Sequence, residues 1–151
     1  MLRDVRRGAL LHDIGKLGVS NTILDKPGKL TTDEMAEIRK HPTWTHRILS
    51  RVAGLDTIAE MAASHHERLD GKGYHRGVGG ANLSTASRIL AVADMYEALA
   101  ARRPYRQDLT ADEVMTIIDR QTGAGLCPDV VAALKTFVAE GTFVPVSLAA
   151  A

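Results

Sequence analysis

The 151-residue chain carries 19 Lys and Arg against 18 Asp and Glu, with 45% hydrophobic and 25% charged residues, a balance that excludes a disordered or fibrous chain and gives no global electrostatic reason to expect DNA or an anionic membrane as partner. One cysteine, Cys127, excludes an internal disulfide. No apolar run approaches the roughly 20 residues that cross a bilayer, and the N-terminal MLRDVRRGALLHD has no signal-like apolar segment. The expectation is one domain spanning 1–151, with the cytoplasm as default compartment.

Residues 1–13 read as the end of a helix, with Val5, Ala9 and His12 spaced along one face. GKLGVSNTILDKPGKL reads as a structured loop, because Lys26-Pro27-Gly28 is turn chemistry. Thr31 and Glu34 form a capping box that opens a helix carrying Met35 and Ile38 inward and ending near His41-Pro42. A short helix over 43–53 stops at Gly54, and another over 56–67 places Ile58, Met61, Ala62, His65 and His66 on one inward stripe. A glycine-rich loop, 68–83, precedes a long helix capped by Ser84 or Thr85, with Ile89, Val92, Tyr96 and Leu99 inside. Two more helices are expected over 110–122 and 128–140, and the apolar tail 141–151 has no assignable element. The fold class is all-α: a compact bundle of about six to seven helices with a glycine-rich loop.

His12, His41, His65 and His66 all fall at helix ends on faces that the apolar spacing turns inward. A lone inward histidine is more often a hydrogen-bonded core residue than a ligand. Four together, with Asp13 beside His12, are better explained by a shared metal, which removes the desolvation penalty of several groups at once. Asp94 strengthens the pattern: it shares its helix face with Leu90, Ala91, Ala98 and Ala101, a stripe suited to lying close against something. Nitrogen and carboxylate donors suit Fe, Mn, Ni or Zn, and thiolate zinc is excluded by the lack of nearby cysteine.

LHDIGKLG, KPGKL, KHP, HHERLDGKGY, RILAVADMYEAL and RRPYR, in this order over about residues 9–137, resemble the HD-GYP domain, a branch of the HD phosphohydrolase superfamily. The resemblance implies an HD-type helical bundle and metal-dependent hydrolysis of a bacterial cyclic dinucleotide, chiefly cyclic di-GMP to pGpG or GMP. It implies His12, Asp13, His41, His65, His66 and Asp94 as metal ligands for two divalent first-row ions, three in some members, with Fe or Mn favoured over Ni or Zn. A diguanylate cyclase (GGDEF) or a sensory or receiver domain is the partner it suggests, and a homo-oligomer is a further expectation.

Metals in such a site lower the pKa of an attacking water. Asp13 would bridge them, and Lys16 would stabilise the oxyanion or protonate the leaving oxygen; by position alone Lys16 reads as a surface lysine, and the motif reverses that reading. Arg103 and Arg106 would grip a phosphate, or stand as solvated helix-end cations. Tyr74 stacks on a guanine or packs on the core. Gly71 and Gly73 permit close backbone approach in the loop, while Glu67 and Asp70 cap it or support the ligands. His46 is expected at the surface, Trp44 in the core, and Cys127 as a small apolar group.

Two departures from the family stand out. Gly-Tyr-Pro is here Gly73-Tyr74-His75, so the loop loses a fixed φ and gains a titratable ring. Family domains also carry an upstream helix that supplies a further ligand, whereas the eleven residues before His12 contain neither histidine nor glutamate. The expectation is either a piece of a longer protein or an incomplete metal site. A non-catalytic module that binds the nucleotide or docks on a cyclase is the competing reading.

Overall fold

The computed structural model describes residues 1–101 and 108–141. Arg103, Arg106 and the tail beyond Gly141 lie outside them. Among the described residues eight α-helices occur in chain order: α1 Leu2–Leu11, α2 Asn21–Leu24, α3 Thr32–Ile38, α4 His41–Leu49, α5 Asp56–Ala63, α6 Thr85–Ala100, α7 Ala111–Gln121 and α8 Pro128–Ala139, with 3-10 turns at Ile14–Gly18 and Gly80–Asn82. Among the described residues there is no strand, only one bridge between Thr122 and Leu126. The all-α class holds, and the single turn of α2 lies within the stretch expected to be loop.

Local chemistry accounts for the boundaries. Thr31 and Glu34 make the expected reciprocal box at the start of α3, and Thr110 with Glu113 makes a second at α7. Ser84 accepts from the Ser87 amide at the start of α6. The sequence reading ended a helix at His41-Pro42, but His41 instead opens α4, with Pro42 in its first turn. A first-turn proline loses no intrahelical bond, because its N–H would have had no partner there.

Two further inward assignments are corrected. Met35 is exposed, because α3 is a short helix with no buried residue. Ala9 is exposed too, and α1 instead meets α5 through buried Gly8, where any Cβ would overlap the Met61 methyl.

Two apolar clusters hold the bundle. Leu49, Ile58, Met61, Ala62 and Leu90 pack together with Val5, Leu11 and Ile14 around them, and Val92, Tyr96, Val114, Ile118, Leu126 and Val131 form the second. Full burial of each large aliphatic contributes about 1.5–3 kcal/mol. Helix α6 enters both clusters, through Leu90 on one side and Val92 and Tyr96 on the other. Asp94 lies between these anchors on a rigid rod.

Candidate metal centre

α1 ends at Leu11 and delivers His12 as its cap residue, with Asp13 next as the cap of the 3-10 turn. That turn packs on α4 through a clamp that sequence reasoning missed. The buried Thr45 hydroxyl donates to the His12 carbonyl at 2.8 Å and accepts from the Gly15 amide at 3.0 Å. A Cβ at Gly15 would run into the His41 carbonyl and lie 2.5 Å from Thr45 N. Only glycine lets the His12–Asp13 turn sit this close to the helix that begins with His41. HDIG carried the signal, as a glycine two residues after the aspartate.

α5 ends at Ala63, and the following turn presents His65 and His66; Asp94 projects from mid-α6. The six side chains converge. His12 Nε2 lies 3.4 Å from both an Asp13 and an Asp94 oxygen, His41 Nε2 lies 3.3 Å from Asp13, and His65 Nε2 lies 3.9 Å from Asp13. His66 Nδ1 is 3.9 Å from Asp94. Donor atoms of His41, His65 and His66, and those of His12, Asp13 and His65, fall within 4.8 Å of one another, spacings at which each trio can hold a metal ion.

The hydrogen bonds behind these atoms decide what the site wants. Nδ1 of His12, His41 and His65 faces the carbonyl of Ala9, Ile38 and Ala62 at 2.7, 2.7 and 2.5 Å, each three residues earlier. A carbonyl only accepts, so each Nδ1 carries the hydrogen, and His41 and His65, which burial keeps neutral, each turn an Nε2 lone pair into the site. His41 Nε2 and His65 Nε2 then face each other at 3.1 Å as two acceptors, beside two carboxylates. An all-acceptor cluster of this kind fits a cation between its members and is repulsive without one.

The electrostatics agree. Burial pushes the His65 and His66 imidazoles down to about 3, with the neighbouring rings His66 and His41 respectively adding to it. Burial lowers His41 as well. For His12 burial acts in the same sense, but the hydrogen bond and charge of Asp94 and Asp13 outweigh it and hold the ring above its usual value. Asp13 is buried enough to be raised, yet Lys16 Nζ, bonded to its Oδ2 at 2.5 Å, holds it below the usual carboxylate range. Lys16 is thus attached to the cluster rather than free on the surface, though its side chain remains 44% exposed.

A cleft of about 700 Å³ opens beside His66 and Asp94. The Ala91 and Ala98 stripe, expected to lie against a neighbouring element, lines this open space together with Met95 and Leu99, so small side chains make room there rather than allow close packing. Lys72, Gly73 and Tyr74 also line the cleft. Tyr74 stacks on His66 with ring centres 4.5 Å apart and 29° between planes, and Arg39 lies 5.5 Å from its ring. Tyr74 thus lies against the histidine cluster and lines the cleft at the same time.

The loop is shaped from inside by Glu67, 2% exposed, whose two oxygens accept from the Arg76 and Val78 amides at 2.7 and 2.9 Å. Asp70 accepts from the Lys72 amide and pairs with Arg68. Gly71 adopts φ 71°, and a Cβ at Gly73 would lie 2.6 Å from the His66 carbonyl and the Glu67 Cα. His75 bonds Thr43 Oγ1 through Nδ1 at 2.8 Å and takes φ 115°. His46 pairs with Glu60, and Trp44 is half-buried against Gly18.

A helical bundle that gathers histidines and aspartates at this spacing has the donor set of a helical metal-binding domain. A family model described as HD domain matches residues 1–129, and the chain belongs to the HD domain family, in its HD-GYP branch. HD domains bind divalent metals. The chain is similar to a 3'3'-cGAMP-specific phosphodiesterase 3 of Vibrio cholerae, 48% identical over 131 residues that cover 87% of this chain and 28% of that protein. It is also similar to a 3'3'-cGAMP-specific phosphodiesterase 1 of the same organism, at 46% over 77% of this chain and 27% of that protein. A cyclic di-GMP phosphodiesterase of Thermotoga maritima is 40% identical over 141 residues, 92% of this chain and 38% of that protein. The chain therefore spans between about a quarter and two-fifths of the length of these curated relatives. No helix among the described residues is long and apolar enough to cross a membrane.

Proposed function

We propose that the chain is a metal-dependent phosphodiesterase domain acting on a bacterial cyclic dinucleotide. The observation that carries the reading is the facing pair of Nε2 lone pairs on His41 and His65, fixed by the carbonyls behind each ring, beside His12 and the carboxylates of Asp13 and Asp94. His12, Asp13, His41, His65, His66 and Asp94 would hold two divalent first-row metals, Fe or Mn in preference to Ni or Zn. Such ions supply a lowered pKa for the attacking water and neutralise charge on the phosphate. Lys16, hydrogen-bonded to Asp13, would stabilise the phosphorane oxygens or give a proton to the departing sugar oxygen. The apolar floor of Ala91, Met95, Ala98 and Leu99 suits a planar base beside the reacting phosphate.

Cyclic di-GMP is the substrate the motif order favours, and relatives whose names specify 3'3'-cGAMP make that mixed dinucleotide the second candidate. A cytoplasmic setting, self-association, and a diguanylate cyclase, receiver or sensory domain as partner belong to the same proposal; the exposed Leu2, Leu10 and Leu17 support association. The test is metal content by elemental analysis combined with turnover of both dinucleotides, for the wild type and a His65→Ala/His66→Ala double variant. Loss of metal and turnover together is expected. Unchanged metal stoichiometry in the double variant would refute the site, and a fully metallated wild type that turns over neither dinucleotide would favour the regulatory reading.

A further inference from the structure

His75 stands where the family motif has proline, and three features of it have no part in the metal site. Its φ of 115° is the only positive value at a non-glycine residue in the described structure, a backbone conformation that L side chains rarely adopt. Its Nε2 is buried with no hydrogen-bond partner, the one such side-chain atom among the described residues. Its Nδ1 reaches across from the loop to α4 and meets Thr43 Oγ1 at 2.8 Å, two residues after His41. A strained backbone and an unsatisfied nitrogen persist only where surrounding structure holds them in place. The residue immediately before is Tyr74, stacked on His66 and forming part of the cleft wall.

We propose that His75 is a positioning residue: its imidazole, latched to Thr43 on α4, holds the strained loop so that Tyr74 stays against His66 as a fixed wall of the cleft. Glu67 organises the loop from its inner side through the Arg76 and Val78 amides, but neither bond reaches α4. Among the described residues, Thr43–His75 is the hydrogen bond that ties the loop to the helix bearing His41. Proline in its place would be held near φ −65°, so this chain uses a different means of positioning the tyrosine from the one its family motif implies.

The consequence for turnover rests on the phosphodiesterase reading, whereas the position of Tyr74 does not. The full chain, loaded with diamagnetic zinc, is labelled with 3-fluorotyrosine, and Tyr74 is assigned among the three tyrosines with Tyr74→Phe. Its ¹⁹F resonance in the wild type is expected away from the solvent-exposed position because of the His66 ring. Thr43→Val, His75→Ala and His75→Pro should return it towards that position. His75→Asn should keep it, since asparagine tolerates positive φ and its amide can bond the Thr43 hydroxyl. With a cyclic dinucleotide, Thr43→Val and His75→Ala should raise KM about tenfold, equivalent to about 1.4 kcal/mol, leaving kcat within threefold and metal content unchanged; His75→Asn should restore KM. A Tyr74 resonance that stays in place in both Thr43→Val and His75→Ala overturns the latch. A resonance that moves without a change in KM overturns the positioning role. If the wild type hydrolyses neither dinucleotide, the phosphodiesterase reading fails, and the resonance alone decides the latch.

Discussion

Thr45→Val tests whether the site is assembled by the clamp between the HDIG turn and α4. The substitution keeps the side-chain shape and removes the hydroxyl that joins the His12 carbonyl to the Gly15 amide at 2.8 and 3.0 Å. Thr45 and Gly15 are buried, so the Gly15 amide loses its partner without access to water, and the His12 carbonyl loses its own. Each such group costs about 1–3 kcal/mol. A methyl also cannot sit at hydrogen-bond distance from an oxygen, so the turn must retreat from α4. The expected loss is about 2–6 kcal/mol, which for a chain of this length lowers Tm by on the order of 5–20 °C. Thr45→Ser keeps the bonds and is expected to lose much less. Urea unfolding of the metal-free forms measures the stability, and metal titration should show weaker uptake in Thr45→Val because His12 and Asp13 are displaced from His41. A loss below about 0.5 kcal/mol, within the range of ordinary surface substitutions, with metal affinity unchanged would show that the clamp does not organise the site.

Lys16→Ala should leave metal content near wild type and lower kcat, because an ammonium acting on the reacting phosphate affects rate more than ligation; kinetics beside elemental analysis decides, and unchanged turnover would return Lys16 to an ordinary surface role. Glu67→Gln replaces one of two accepting oxygens with an amide that faces a backbone N–H, and should cost about 1–3 kcal/mol, visible as faster amide exchange at Arg76 and Val78. The metal-free protein should lose stability as pH falls. His65 and His66 titrate near 3 when folded and near 6.5 when unfolded, so below about 6.5 the unfolded chain takes up protons that the folded one refuses. Their contribution is complete above that pH and is lost between about 6.5 and 3, by at most about 1.4 kcal/mol per pH unit for each histidine. His41 and His75 act in the same direction and His12 in the other. A flat stability between pH 7 and 5 in metal-free urea titrations would contradict the burial of these rings.

Most helices and the candidate metal donors were legible in the sequence because they depend on local rules. Apolar spacing set the inward stripe of α5, and Thr31 with Glu34 marked a helix start through a bond between residues three apart. Histidines at the ends of inward faces could be picked out by position alone. The errors came where a local signal had two meanings. Pro42 stops one helix or begins another, and only packing of α4 against the HDIG turn settles which; the alanine stripe of α6 allows a close neighbour or an empty cleft, and the structure leaves the space open. Thr45, Thr43 and the tautomers of the histidines were beyond reach of the sequence, because each depends on a partner 30 or more residues away or on which ring nitrogen the backbone occupies. Residue type and spacing decide which groups can gather; the direction in which each lone pair points is set by hydrogen bonds that exist only once the helices have packed.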